Sequence, residues 1–261
     1  MTRQTELGGP ASAGLIRELP VPGEIPRFEV PGWRDRYGVL AGITGRDADS
    51  PGFDLGLWTD QPVGAVMERW RRLRRAEPGF HATVLATQVH GTELAWHRDA
   101  YGWLILDGFD GHATSRPGLL LTVTVADCIP VYLVDPVTRT IGLLHAGWRG
   151  TAAGILARGV EQLLAHGASL EHLILHCGVG ICGPCYEVGQ DVMTGCGLVP
   201  TGNGPWHLDL RRVLLSQATA IGIRQGSSSE WCSAHHGTEF YSHRRSRGSD
   251  GRMVAYLGLL P

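Results

Sequence analysis

A cysteine and two histidines stand out because each ends an apolar run and each can hold a metal. Cys128 ends LLLTVTVADC, His145 ends TIGLLH, and His90 ends VLATQVH. A thiolate and two neutral imidazoles, delivered by three strand ends, make the ligand set of a catalytic zinc site whose fourth position is open. The same residues have plainer uses. A lone buried cysteine packs as a small hydrophobe, and a histidine near a strand end serves as a hydrogen-bonded turn residue. The wide spacing leaves both uses open. Asp127 beside Cys128, and Gln88 two residues before His90, have the chemistry of an outer shell or a proton carrier.

Other groups compete for attention. No His-Glu-x-x-His is present, and Pro184-Cys185 lacks the second cysteine of the zinc-deaminase signature. Cys182-Gly-Pro-Cys185 has redox-motif spacing, but its Gly-rich surroundings read as structural cysteines in a tight loop. His172 and His176 lie in an apolar, strand-like run, so they do not face one site. His235-His236 sits in a loop, and Tyr241 to Arg245 concentrates hydrogen-bonding and positive groups at a strand end. All 23 basic residues are arginine. That excludes a Schiff-base lysine, a phosphate-loop lysine and a lysine general base.

The elements that must position these groups follow from pattern. Length of 261 residues, 43% apolar and 18% charged content describe a globular chain. A net charge of −2 gives no pull toward nucleic acid or an anionic membrane. The start of the chain has no apolar signal-type stretch, and no run approaches the ~18 apolar residues of a membrane span. We therefore expect a cytoplasmic protein with its six cysteines reduced. Residues 1–25 read as a flexible lead-in and 26–261 as a single domain. Strands are expected at RFEVPGW, YGVLAGIT, HATVLAT, TELAWHR, GLLLTVTVADC, VYLVDP, TIGLLHAGW, HLILHCGVG and RMVAYLGL. Residues 107–118 read as a loop, and the segment through EFYSHRR as loop then strand. Helices are expected over Val63–Arg75, after Gly150, and over WHLDLRRVLLSQATAIGI. In the first, Val66, Trp70 and Leu73 share a face, while Arg69, Arg71, Arg72, Arg74 and Arg75 form a solvated one. The fold class is α+β: a layered sandwich of mixed β-sheets with flanking helices.

The motifs TQVHG, VADCIPVYLVDP, LLHAGWRGT, CGVGICGPCYEVG, HLDL and CSAHHGTEFYSHRRSRGSDGR resemble, in order, those of the YfiH family. That family is also called the polyphenol-oxidase, laccase-domain or purine nucleoside phosphorylase family. The resemblance runs from about residue 42 to the end of the chain. It implies His90, Cys128 and His145 as zinc ligands, with a pocket beside them. Departures exist. GITGR keeps Thr44 and Arg46 of a Thr-Thr-Arg segment, but the next turn is DADSPG. Asp54 stands where an Asn is usual, and Val179 where Pro is usual.

The resemblance implies a zinc-dependent enzyme that cleaves adenosine, inosine and methylthioadenosine with phosphate and also deaminates adenosine. The expected partners are a purine nucleoside and phosphate. Holding phosphate needs cations, for which Arg46, Arg149 and Arg244 are candidates by type. The helix start after HAGWRGT offers backbone N–H groups for the same purpose. Asp127 is the first choice for general acid or base, with Glu187 second. The resemblance implies two alternatives as well. One is a copper-dependent oxidase of phenols, since two His and a Cys suit copper too. The sequence has no His-x-His pair with which to build a trinuclear copper centre. The other is a cysteine hydrolase editing peptidoglycan precursors, with Cys128 as nucleophile and His145 as base.

Overall fold

The computed structural model describes residues 14–47 and 52–261. Its strands are β1 (Gly14–Ile16), β2 (Leu19–Pro20), β3 (Arg27–Glu29), β4 (Val39–Thr44), β5 (Ala82–Thr87), β6 (Leu94–His97), β7 (Gly102–Asp107) and β8 (Gly111–Thr114). They continue with β9 (Leu119–Val125), β10 (Ile129–Asp135), β11 (Thr140–Ala146), β12 (Ile174–Cys177), β13 (Glu187–Val188), β14 (Trp206–His207), β15 (Gln225–Ser229) and β16 (Met253–Leu259). The helices are α1 (Trp33–Tyr37), α2 (Val63–Ala76), α3 (Trp148–Ala153), α4 (Ile155–Ala165), α5 (Gln190–Gly195), α6 (Leu210–Ile221) and α7 (His243–Ser246).

Two mixed sheets dominate. One runs β1-β15-β12-β10-β11-β8-β6 and the other β2-β3-β4-β16-β9-β5-β7. Side chains alternate across a strand, so each sheet needs cover on both faces. In β9, Leu119, Leu121, Val123 and Val125 turn to the space between the sheets, while Leu120 turns to the opposite face. Tyr132 and Val134 of β10, with Ile141 and Leu143 of β11, meet them from the first sheet. On that sheet's outer face, Val131, Leu133 and Leu144 pack against Leu156, Val160 and Leu163 of α4 and Leu214 of α6. The second sheet's outer face is covered by Val66, Trp70 and Leu73 of α2. Helix, sheet, sheet, helix is the layer order. Each fully buried Leu or Val contributes about 1.5–3 kcal/mol relative to exposure.

Several sequence expectations change. Residues 14–25 do not form a loose lead-in, because β1 pairs in parallel with β15 and β2 pairs with β3. Buried Glu18 anchors them, accepting from Ser229 Oγ at 2.7 Å and lying 3.0 Å from His176 Nε2. Residues 1–13 and 48–51, the latter holding most of the DADSPG turn, lie outside the described residues. Within the expected loop 107–118 runs the buried strand β8, between β11 and β6. The helix after Gly150 is split by Gly154, whose φ of 89° suits glycine. His243 to Ser246 is a short helix rather than a strand. Arg69 leaves the solvated face of α2: it is buried and donates from Nη1 to the Asp54 carbonyl at 3.0 Å. No helix among the described residues is long and apolar enough to cross a membrane.

Candidate metal centre

Strand register brings the three donors together. β5 and β9 run parallel, so their ends, Thr87 and Val125, point the same way. Gln88 ties those ends: its Oε1 accepts from Thr124 N at 2.7 Å, and its Nε2 donates to Thr124 O at 2.9 Å. His90 follows Gln88, and Cys128 follows β9. The chain then crosses to the first sheet, where Pro130 of β10 sits opposite His145 of β11. One ligand thus comes from the end of each of three strands, at the point where the chain changes sheets.

Two backbone features fix the aim. His90 and Asp127 are non-glycine residues with positive φ, 60° and 89°. Such conformations persist only where the surroundings hold them. For His90 the holder is Asp110, which is fully buried. Its carboxylate accepts from the N–H groups of Val89, His90 and Gly91 at 3.1, 2.9 and 2.6 Å. For Asp127, Oδ1 accepts from Ser233 Oγ and Oδ2 from Arg244 N, both at 2.6 Å, and its carbonyl accepts from Ile181 N at 2.9 Å.

Donor atoms of His90, Cys128 and His145 lie within 4.8 Å of one another. Cys128 Sγ is 3.9 Å from His90 Nε2. His145 Nδ1 is 2.9 Å from Asp110 Oδ1, so its Nε2 is the free nitrogen. Burial raises the Cys128 thiol, but the charge of His145 and hydrogen bonds from both histidines outweigh it and hold the thiol down at about 6. His145 moves the other way, to about 9: burial lowers it, and the Cys128 thiolate and Asp110 raise it more. Burial also opposes the Asp110 charge, yet His145 and the Gly91 and Val89 amides hold its carboxyl below the ordinary range. A thiolate, two imidazoles and an outer carboxylate fit zinc, and a cation entering here displaces the His145 Nε2 proton.

These ligands open onto a cavity of about 540 Å³. That is the size of a small-molecule site. Trp58, Trp148 and Tyr186 give it flat apolar walls, while Asp127, Arg149 and Arg244 give it charge. Arg149 lies over the Trp148 ring at 4.5 Å and Arg244 over the Tyr186 ring at 5.0 Å. Arg244 Nη1 also donates to the Glu187 carbonyl at 2.6 Å.

Not every expected residue joins them. Arg46 lines a neighbouring cavity of about 320 Å³ and is paired with Asp250 at 3.1 Å. Asp54 lines the same neighbour, accepting from the N–H groups of Gly56 and Arg252, both at 2.8 Å. Trp58 and Arg252 are shared by the two cavities. The side chain of Glu187 is exposed and does not line the ligand cavity. His172 and His176 diverge: His176 is buried against Glu18, and His172 lies 3.9 Å from Asp135. Asp110 and Ser233 were missed. A carboxylate between Phe109 and Gly111 in DGFDGHA carries no motif of its own, and only strand pairing reveals that it abuts His145.

Residues 42–260 match the family model described as multi-copper polyphenol oxidoreductase laccase. A purine nucleoside phosphorylase of Deinococcus radiodurans is 40% identical over 223 residues, which cover 80% of this chain and 82% of that protein. An adenosine deaminase, RL5, from an unknown prokaryotic organism is 31% identical over 159 residues, 56% of this chain and 61% of that one. The crystal structure of the hypothetical protein YfiH of Bacillus licheniformis aligns with a TM-score of 0.81 at 28% identity, covering 90% of this chain and 96% of that one. The matched span carries all three strand ends and the Asp110 that aims two of them, and the chain belongs to the YfiH, or laccase-domain, family.

Proposed function

We propose that this chain is a purine nucleoside phosphorylase with zinc at His90, Cys128 and His145. Adenosine, inosine and methylthioadenosine are its substrates with phosphate, and it deaminates adenosine as a side activity. The observation that carries this is a single cavity holding three metal ligands, flat aromatic walls and three arginines. The names of the relatives support the same class of reaction. In this reading Trp148 or Tyr186 packs on the purine, and Arg149 and Arg244 hold phosphate against the ribose carbon that loses the base. Asp127 holds or gives the proton: each of its oxygens keeps a second lone pair beside its one hydrogen bond. Arg46 and Glu187 act at a distance. The first shapes the adjoining cavity, and the second steadies Arg244 through its carbonyl. Bound zinc supplies a Lewis acid with an open position and a water made acidic enough for deamination.

The test incubates purified protein with each nucleoside, with and without phosphate, and separates products by chromatography. Free base that requires phosphate, and inosine from adenosine without it, are expected. Neither product from any nucleoside overturns the proposal.

A second reading has its own observation. Cys128, His145 and Asp110 also stand as nucleophile, base and orienter of a cysteine hydrolase. Chelation separates the two: a Cys–His hydrolase keeps its activity without metal, and the proposed enzyme loses it. Oxidation of a phenol with oxygen uptake, by copper-loaded protein, would instead favour the oxidase after which the family model is described.

A further inference from the structure

Away from the first cavity, Cys182, Cys185, Cys232 and His235 each bring one donor atom to within 4.8 Å of the others. We propose that these four hold a structural zinc ion, separate from the catalytic centre. Cys182 Sγ lies 3.6 Å from His235 Nδ1. Tetrahedral zinc with Zn–S of ~2.3 Å and Zn–N of ~2.0–2.1 Å puts sulfur and nitrogen about 3.6 Å apart. The pair already stands at ligand spacing.

The backbone is shaped for it on both arms. Cys182 leads into a 3₁₀ turn over Gly183–Cys185, and Cys185 N–H donates to the Cys182 carbonyl at 3.1 Å. That is the tight C-x-x-C knuckle of zinc sites. Cys182 N–H donates to Cys232 Sγ at 3.3 Å, an outer-shell bond of the kind that steadies a metal-bound thiolate. On the second arm, His236 N–H donates to the Cys232 carbonyl at 2.9 Å, which turns His235 back toward the cysteines. A parallel bridge between Gly180 and Cys232, with Ser233 N donating to Gly180 O at 3.0 Å, holds the arms side by side. Cys232 is buried, Cys182 and Cys185 are half-buried, and His235 is at the surface, so the ion has a way in.

Four protein ligands leave no position for water or substrate, which makes the site structural. A disulfide would use two thiols and leave a thiol and an imidazole of this set unused. None of the four lines the catalytic cavity, but Ile181 and Tyr186, on the first arm, do. Ser233, on the second, donates to Asp127. The ion would therefore clamp one wall of the cavity to the residue beside Cys128.

The test measures metal content by mass spectrometry on the purified full chain and on variants, with activity as no part of the readout. Cys128→Ala empties the first site whatever its chemistry. This variant is expected to keep one zinc per chain, lost on adding Cys232→Ala or Cys182→Ser. Cobalt added to metal-free Cys128→Ala should give a strong thiolate-to-cobalt absorption band. Because His235 is at the surface, His235→Ala folds even if a cysteine variant does not, and it should hold zinc at least ten-fold more weakly against a chelator. A Cys128→Ala chain without zinc and without the cobalt band overturns the proposal. So does an intact mass two hydrogens short, with the three cysteines partly joined in a disulfide.

Discussion

Asp110 accepts the Nδ1 proton of His145 at 2.9 Å, and the same carboxylate holds the amides on either side of His90 and that of His90 itself. One buried side chain thereby aims two of the three ligands from the far side of the metal gap. The His145 tautomer and the left-handed turn at His90 have one common cause.

Asp110→Asn tests that cause. The amide keeps the size but puts an N–H₂ where backbone N–H groups and an imidazole now donate. Metal affinity is expected to fall about 10–100-fold, as for other outer-shell losses. Unfolding free energy is expected to drop by about 2–3 kcal/mol, for buried donors left unpaired. Competition with a chelator and thermal unfolding, each with and without metal, read the two effects. Wild-type metal affinity in this variant would remove Asp110 from the account.

The thiolate character of Cys128 gives a pH signature in metal-stripped protein. Alkylation requires the thiolate, so its rate rises with pH and levels off above the thiol pKa. A midpoint of about 6 is expected for Cys128. Replacing His145 with Ala removes the main opposing charge and should move that midpoint up toward ~8.5 or beyond. Peptide mapping after timed alkylation follows Cys128 alone, and added zinc should protect it. A midpoint near 8.5 in the unaltered chain would mean that His145 does not govern the thiol.

How much of this was legible before the fold was known differs by residue. Cys128 and His145 end long apolar runs, β9 and β11, which lie in different sheets. Cys128 leads directly into β10, the hairpin partner of β11, so their neighbourhood follows from the pattern of TVTVADC and GLLHAG. His90 needed the parallel pairing of β5 with β9, which no local signal encodes. Asp110 was hidden by composition. Gly and Asp mark turns on average, yet Gly111 is there because a Cβ would meet Leu94 and Leu144 at 2.9 and 3.0 Å in mid-sheet. Arg46 was chosen by charge alone, and charge does not say that Asp250 takes it. Residues 14–25 lack apolar periodicity, and their place is set by pairing with β15 and β3 and by buried Glu18 against Ser229 and His176.

The buried pair His97 and His112 predicts acid sensitivity. The rings meet at 3.0 Å, Nε2 to Nδ1, between β6 and β8. Burial pushes His97 down to about 4, and burial with the nearby charge of His97 pushes His112 down to about 3. Both stay neutral in the fold, while the unfolded chain protonates them near 6.5, so the unfolded state binds more protons between about pH 6.5 and 4. Stability is therefore flat above 6.5 and falls as pH drops through that window. The loss is on the order of 3 kcal/mol for each histidine by pH 4, about 6 kcal/mol for the pair. Urea unfolding from pH 7 to 4.5, compared with His97→Gln/His112→Gln, should show a shallower slope in the double variant. Identical slopes would place the acid sensitivity elsewhere.

Two arginines should separate in their kinetics. Arg149 lines the ligand cavity, whereas Arg46 is paired with Asp250 in the neighbouring one. Arg149→Ala is expected to raise the KM for phosphate about ten-fold, equal to about 1.4 kcal/mol of lost binding. Arg46→Ala should leave that KM within about two-fold and lower Tm instead, because Asp250 also orders Ser242 N and Arg245. Initial rates against phosphate at saturating nucleoside, with thermal unfolding alongside, distinguish the two. A larger KM change for Arg46→Ala would place phosphate in the neighbouring cavity.

Gly147→Ala perturbs the centre without removing any ligand. A Cβ at this position would lie 2.9 Å from His90 Cδ2 and 3.1 Å from Cys128 Sγ. The backbone permits alanine, since φ is −76°, so the whole effect is pressure on two ligands. His90 or Cys128 must shift by a few tenths of an ångström, and metal affinity should fall several-fold while the circular dichroism spectrum stays unchanged. Gly64→Ala in α2 is the control: nothing lies within 4 Å of its Cβ, and alanine in a helix should stabilise by about 0.5–1 kcal/mol with metal binding intact. Metal titration and urea unfolding of both variants make the comparison. If Gly147→Ala binds metal as the unaltered chain does, the ligands have slack that the distances deny, and the metal does not sit between His90 and Cys128.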